Sequence, residues 1–207
     1  MNNLSELSKN DNRKKLKDIV LSECGNVSNA FLDGLIPLLP VGSIAKSFFQ
    51  SSIAIRDYFF LKKLNTFLFS INTDDVSDEE IEDFFKTVGN NKEKVEEYLL
   101  GLLISAESED KALLMGYIYK AAVKGKVDHM QMLRLCSIIN RSFVYDLKTL
   151  PEFEEESENE SIEAMNLINL GLIDNYMGGY WKDNPTIQLN DTGLILLDIL
   201  KSEEWFN

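Results

Sequence analysis

Apolar residues recur at threes and fours through most of the chain up to residue 150, and the pattern is cut by capping residues and glycines. Ser43 is placed to cap a long helix reaching about Ile71. Ile44, Phe48, Ile55 and Phe59 recur along one face of it, and Phe60, Leu64, Phe67, Leu68 and Ile71 continue on a rotated face. An apolar arc that wide belongs to a helix central in a bundle. Ser77-Asp78-Glu79-Glu80 is a capping box, in which hydroxyl and carboxylate satisfy free amides at a helix start, and that helix runs to Gly89. The next helix spans 91–106, with Val95, Tyr98, Leu99, Leu102 and Leu103 on one face. A turn over 107–110 leads to a helix at 111–124, whose Leu114, Ile118, Ala121 and Ala122 face a core and which Gly125 ends. Asp128 with Gln131 repeats the capping-box pattern and opens a helix over 129–148.

After Pro151 the pattern changes. Residues 152–160 are an acidic run that reads as a solvated linker. A helix follows at 161–170 with Ile162, Met165, Leu167 and Ile168, and Gly171 stops it. Residues 172–176 and 186–189 read as two short strands around a tip that contains Gly178-Gly179. Asn190 caps a last helix over 191–202. The expected fold is therefore mainly α: a helical bundle of five to six helices with a small C-terminal winged-helix-like β-hairpin element. Its expected parts are a polar, basic segment with a short helix (1–24), the bundle (25–150), the acidic linker (151–160) and the tail (161–207).

Charge narrows the function. The chain carries 34 acidic and 21 basic residues, a net charge of −13. Residues 152–181 contain no Lys or Arg, and 152–174 hold eight acidic residues. Nucleic acid binding depends on neutralising phosphate with cations, so it is not expected here. The one dense basic run, Arg13-Lys14-Lys15-Leu16-Lys17, reads as a solvated helical turn or tail. Cys24 and Cys136 stand too far apart in sequence for a zinc motif, and Cys136 sits in an apolar run where a buried thiol fits. The first twenty residues are polar and charged, unlike a secretory signal, and a reducing cytoplasm is expected.

No arrangement of residues spells out catalysis. His129 is the single histidine; beside Asp128 at a helix start it reads as a surface or cap residue. The acidic cluster over 74–80 lacks the alternating spacing and glycine of a calcium loop and reads as a solvated helix start. No enzyme, cofactor or metal site is expected. Two segments carry interaction readings. Residues 34–55 hold a single charge, Lys46, with Pro37 and Pro40 within the run. They are a buried hairpin leading into the core helix, a peripheral membrane contact through Ile36, Leu38, Leu39, Ile44, Phe48 and Phe49, or, being close to spanning length, a membrane span. In the second case Arg56, Lys62 and Lys63 would lie at an anionic inner-membrane surface. The other set is Tyr180 and Trp181 at the hairpin tip with Trp205 and Phe206. These aromatics either dock a partner or fold back on the last helix.

The phrase Leu167-Ile168-Asn169-Leu170-Gly171-Leu172-Ile173, followed by a hairpin and Ile187-Gln188-Leu189-Asn190-Asp191-Thr192-Gly193, resembles the end of a winged helix of the MarR type. In such regulators the helix before the wing reads DNA and basic wing residues grip phosphate. Here that helix offers Glu163, Asn166 and Asn169, and the wing offers only Lys182. Ile36-Pro37-Leu38-Leu39-Pro40-Val41-Gly42 and Arg56-Asp57-Tyr58-Phe59-Phe60-Leu61-Lys62-Lys63-Leu64 resemble segments of uncharacterised bacterial and prophage helical proteins with an IPxxG segment. That resemblance implies a role in phage defence or a related conflict system. The leading expectation is a non-enzymatic interaction module, an accessory or immunity factor that binds a protein partner with a basic surface. The alternatives are a membrane-associated effector using 34–55 and a winged-helix transcriptional regulator.

Overall fold

The computed structural model describes residues 55–71, 76–158, 161–176 and 186–207, and readings that fall on other residues lie outside it. Within that set the chain is mainly helical, with eight α-helices and one two-stranded antiparallel sheet. No helix among the described residues is long and apolar enough to cross a membrane. The chain divides into two compact units between Leu133 and Arg134.

In the first unit, α1 (Ile55–Ser70), α2 (Asp78–Val88), α3 (Lys92–Ser105) and α4 (Glu109–Val123) lead into α5 (His129–Arg141). The start of α2 follows from its cap. Glu80 N–H donates to Ser77 Oγ at 3.2 Å, and Ser77 N–H donates back to Glu80 Oε2 at 2.7 Å. Because Ser77 donates through both its N–H and its hydroxyl, the Glu80 carboxyl is held below its ordinary value. The support this gives is complete above the ordinary carboxylate range and is lost as the pH falls through the depressed value. Helix α4 begins two residues earlier than the spacing predicts, because Ser108 Oγ accepts from Lys111 N–H. It is buried nearly all round and packs against both α1 and α2.

The buried face of α1 is Phe60, Leu64, Phe67 and Leu68, continued by Ile71 just past its end, while Phe59, expected on a core stripe, is exposed. Lys63 is buried in that face. Its Nζ donates to the carbonyls of Ile104 at 2.9 Å and Ala106 at 2.7 Å, closing the C-terminal end of α3, and burial pulls its pKa below the ordinary lysine value. On α3, Val95, Leu99, Leu102 and Leu103 are buried as expected, but Tyr98 is half exposed.

The second unit holds α6 (Val144–Leu147), a 3₁₀ turn (Leu150–Phe153), α7 (Ile162–Asn169), β1 (Ile173–Tyr176), β2 (Thr186–Leu189) and α8 (Asp191–Ser202). The single helix expected over 129–148 breaks at Ser142. This residue is buried, its Oγ donates to Ile139 O at 2.8 Å, and Phe143 then turns extended. A serine hydroxyl that engages the preceding turn offers the backbone an alternative to continued helix. The acidic stretch is fastened through its first part. Leu150 and Phe153 are fully buried, Glu154 Oε2 meets Lys201 Nζ at 2.6 Å, and Ser157 exchanges backbone bonds of 3.0 and 2.9 Å with Ile187. Strands β1 and β2 pair in register Ile173↔Leu189 through Tyr176↔Thr186.

Helices α4, α7 and α8 end in the same way. The residue after the C-cap turns left-handed, and the next amide bonds back to the last turn, as in Leu172 N–H to Leu167 O at 3.0 Å and Trp205 N–H to Leu200 O at 3.1 Å. Gly125 and Gly171 hold the left-handed position in two of them; in α8 it is Glu204, at φ 54°. A side chain there costs about 1 kcal/mol. Glu204→Gly therefore raises stability by about that much, read as a higher urea midpoint at unchanged m.

Candidate functional site

Of the residues expected to contact a partner, Tyr180 and Trp181 lie outside the described residues. So do the membrane-contact alternatives Ile36, Leu38, Leu39, Ile44, Phe48 and Phe49. Trp205 and Phe206 are described. The left-handed turn at Glu204 swings Trp205 back over the second unit, where Lys148 Nζ lies 5.1 Å from its ring centre. Phe206 meets Trp205 edge-on at 5.0 Å. Both rings are half buried, so each keeps surface available to a partner.

A larger apolar surface was not legible in the sequence. Phe143 and Tyr145, on either side of the start of α6, are 63% and 67% exposed, and their rings lie 5.3 Å apart. On α7, Ile162 is 77% and Met165 51% exposed, while Ala164 and Leu167 on the opposite side are fully buried. Ser161 sets the start of α7 by accepting from Ala164 N–H at 3.2 Å. Asn166 Nδ2 donates to Asp146 Oδ2 at 2.8 Å and ties α7 to α6. Asp146 is buried and Asn166 partly so, and the tie fixes the base of this surface. Residue type alone assigns such side chains to a core, and their exposure in the folded chain shows that they point outward.

An open groove of about 650 Å³ lies beside α2 and the α4–α5 connection, with Glu80, Asp83, Thr87, Lys124, Lys126, Asp128 and His129 on its walls. Its three carboxylates already have structural partners. Glu80 holds Ser77, Asp83 meets Lys86 at 2.7 Å, and Asp128 Oδ1 accepts from Gln131 N–H at 2.8 Å. Among the described residues no three His, Cys, Asp or Glu side chains converge as metal ligands.

Cys136 is fully buried and in no disulfide, and burial pushes its thiol well above the ordinary value. In a Cys24→Ser chain, the native protein is expected to give no reaction with a thiol reagent, against one equivalent after unfolding. Labelling in the native state would mean that the packing around α5 opens readily.

Charge divides unevenly along the chain. Residues 134–207 carry fourteen Asp and Glu against five Lys and Arg, whereas 1–133 carry twenty against sixteen. Among the described cations, Lys201 pairs with Glu154 and Lys148 lies over Trp205. The second unit thus offers part-exposed aromatic and aliphatic side chains on an acidic body. No protein-family model, curated protein or solved structure matches the chain, so the reading of this surface rests on its own residues.

Proposed function

We propose that the protein is a non-enzymatic interaction module, a helical bundle whose winged-helix-like tail engages a protein partner through an acidic surface. The order helix, hairpin, helix in α7, β1, β2 and α8, with Ser157 adding a bridge to β2, supports the winged-helix-like form. The observation that carries the use of that form is the chemistry of α7. The helix before the hairpin has no cation and presents Ile162 and Met165 to solvent. A DNA-reading helix needs donors for base edges and cations for phosphate. A surface of exposed apolar side chains in an acidic setting fits a protein with a complementary basic face.

The compartment in this reading is a reducing cytoplasm, in keeping with a Cys136 that is buried and in no disulfide. The role in a bacterial or prophage conflict system, as accessory or immunity factor, rests on sequence resemblance alone. The test uses the full-length chain. A labelled duplex oligonucleotide is expected not to shift at low salt, and tagged protein crosslinked in cells is expected to hold a protein partner that is lost with Trp205→Ala at unchanged thermal stability. An oligonucleotide shift would move the reading to a transcriptional regulator. Flotation with anionic vesicles would move it to a membrane-associated effector.

A further inference from the structure

We propose that the face carrying Phe143, Tyr145, Ile162 and Met165 seats a cationic amphipathic helix of a protein partner. This deepens the interaction reading above and rests on it. All four side chains are more than half exposed, and they come from two segments joined by the part-buried Asp146–Asn166 bond. Their backbones are set before any partner arrives, by the Ser142 hydroxyl on Ile139 O and the Ser161 cap on α7. Little ordering cost therefore remains for binding on this side. Ile162 and Met165 stand three residues apart, one turn of the same helix edge, which presents a ridge along α7 that a second helix can pack against.

Charge decides the occupant. Glu158 and Glu163 bracket Ile162 in sequence, and the unit as a whole carries nine more acidic than basic residues. A second copy of the chain would bring two such units together against their mutual repulsion. A helix with a leucine-rich face and flanking Lys or Arg gains on both counts, burying the apolar side chains and neutralising their surroundings.

The experiment follows fluorescence anisotropy of a labelled helical peptide with one leucine face and one lysine face, titrated with the full-length protein at physiological salt. A scrambled peptide of the same composition serves as the charge control. The expected result is binding of the amphipathic peptide alone, weakened at least about tenfold by Ile162→Asn or Met165→Asn. Both sites are exposed, and thermal melts of the variants check that the fold is retained. Equal binding of the scrambled peptide would overturn the proposal, because charge alone would then suffice. Amphipathic binding that ignores both variants but falls with Trp205→Ala would overturn this face and leave the interaction reading standing. A dimer in sedimentation that Met165→Asn dissolves would overturn it in favour of a second copy as occupant.

Discussion

Gly116→Ala is expected to unfold most of the first unit's population under mild denaturant, with a loss of about 4 kcal/mol or more. Gly116 lies in the middle of α4, where glycine costs helix stability and alanine would ordinarily restore about 1 kcal/mol. The sign reverses because α1 crosses at this point. A Cβ at 116 would overlap Ser70 Oγ, lie 2.7 Å from Phe67 O and reach 3.0 Å from Ser70 Cβ. Ser70 is buried there with its hydroxyl donating to that same Phe67 carbonyl. Two of the obstacles are side-chain atoms and the third is backbone, so removing the hydroxyl is not enough. Ser70→Ala should fail to rescue Gly116→Ala. Gly101→Ala supplies the contrast, since Gly101 sits in mid-helix in α3 and a Cβ there meets nothing within 4 Å. That change should stabilise by about 1 kcal/mol. Urea titrations of the three variants decide the matter, and a rescued double variant would mean that the helices can slide apart at Ser70.

In the second unit the corresponding expectation is Gly193→Ala, with a loss of about 3 kcal/mol. Gly193 is the third residue of α8, and its N–H is held by the Asn190 side chain at 3.1 Å. A Cβ at this position would overlap Leu172 O and lie 2.8 Å from Leu189 Cδ2. The Leu172 carbonyl is itself occupied by Asn190 N–H at 3.1 Å, and Asn190 Nδ2 reaches Gly171 O and Asp174 Oδ1, both at 3.1 Å. One asparagine thus closes the end of α7, the start of β1 and the start of α8, and the glycine is what lets α8 come close enough for it to do so. The loss should appear in the thermal melt together with a weaker signal from the Trp205–Lys148 contact at the far end of the helix. A variant as stable as the parent would show that α8 can shift without loss.

The same two glycines show how far the sequence could be read. Gly193 stood out in the Leu189-Asn190-Asp191-Thr192-Gly193 phrase by its resemblance to a winged-helix end, and Ser77, Asp128 and Asn190 marked helix starts because a cap and its target lie within three residues of each other. Gly116 carried no such mark. What makes it necessary is Ser70, 46 positions away in sequence and across a helix crossing. Lys63 is alike in this respect. In the sequence it is one cation among several, and its burial depends on carbonyls of Ile104 and Ala106 that only the packing of α1 on α3 supplies. The apolar surface near α7 is hidden in the sequence for the opposite reason. Phe143, Tyr145, Ile162 and Met165 look like core by residue type, and the break at Ser142 that turns the first two outward comes from one hydroxyl bond to the preceding turn.

The near-complete burial of α4 has a consequence for the order in which the first unit opens. An amide exchanges with solvent when its segment opens, and a helix enclosed by its neighbours opens only with them. Deuterium should therefore enter the amides of residues 112–123 last, at a rate set by global unfolding of that unit. The amides of α2, whose outer face carries exposed Glu79, Glu82, Asp83 and Lys86, should exchange well before them.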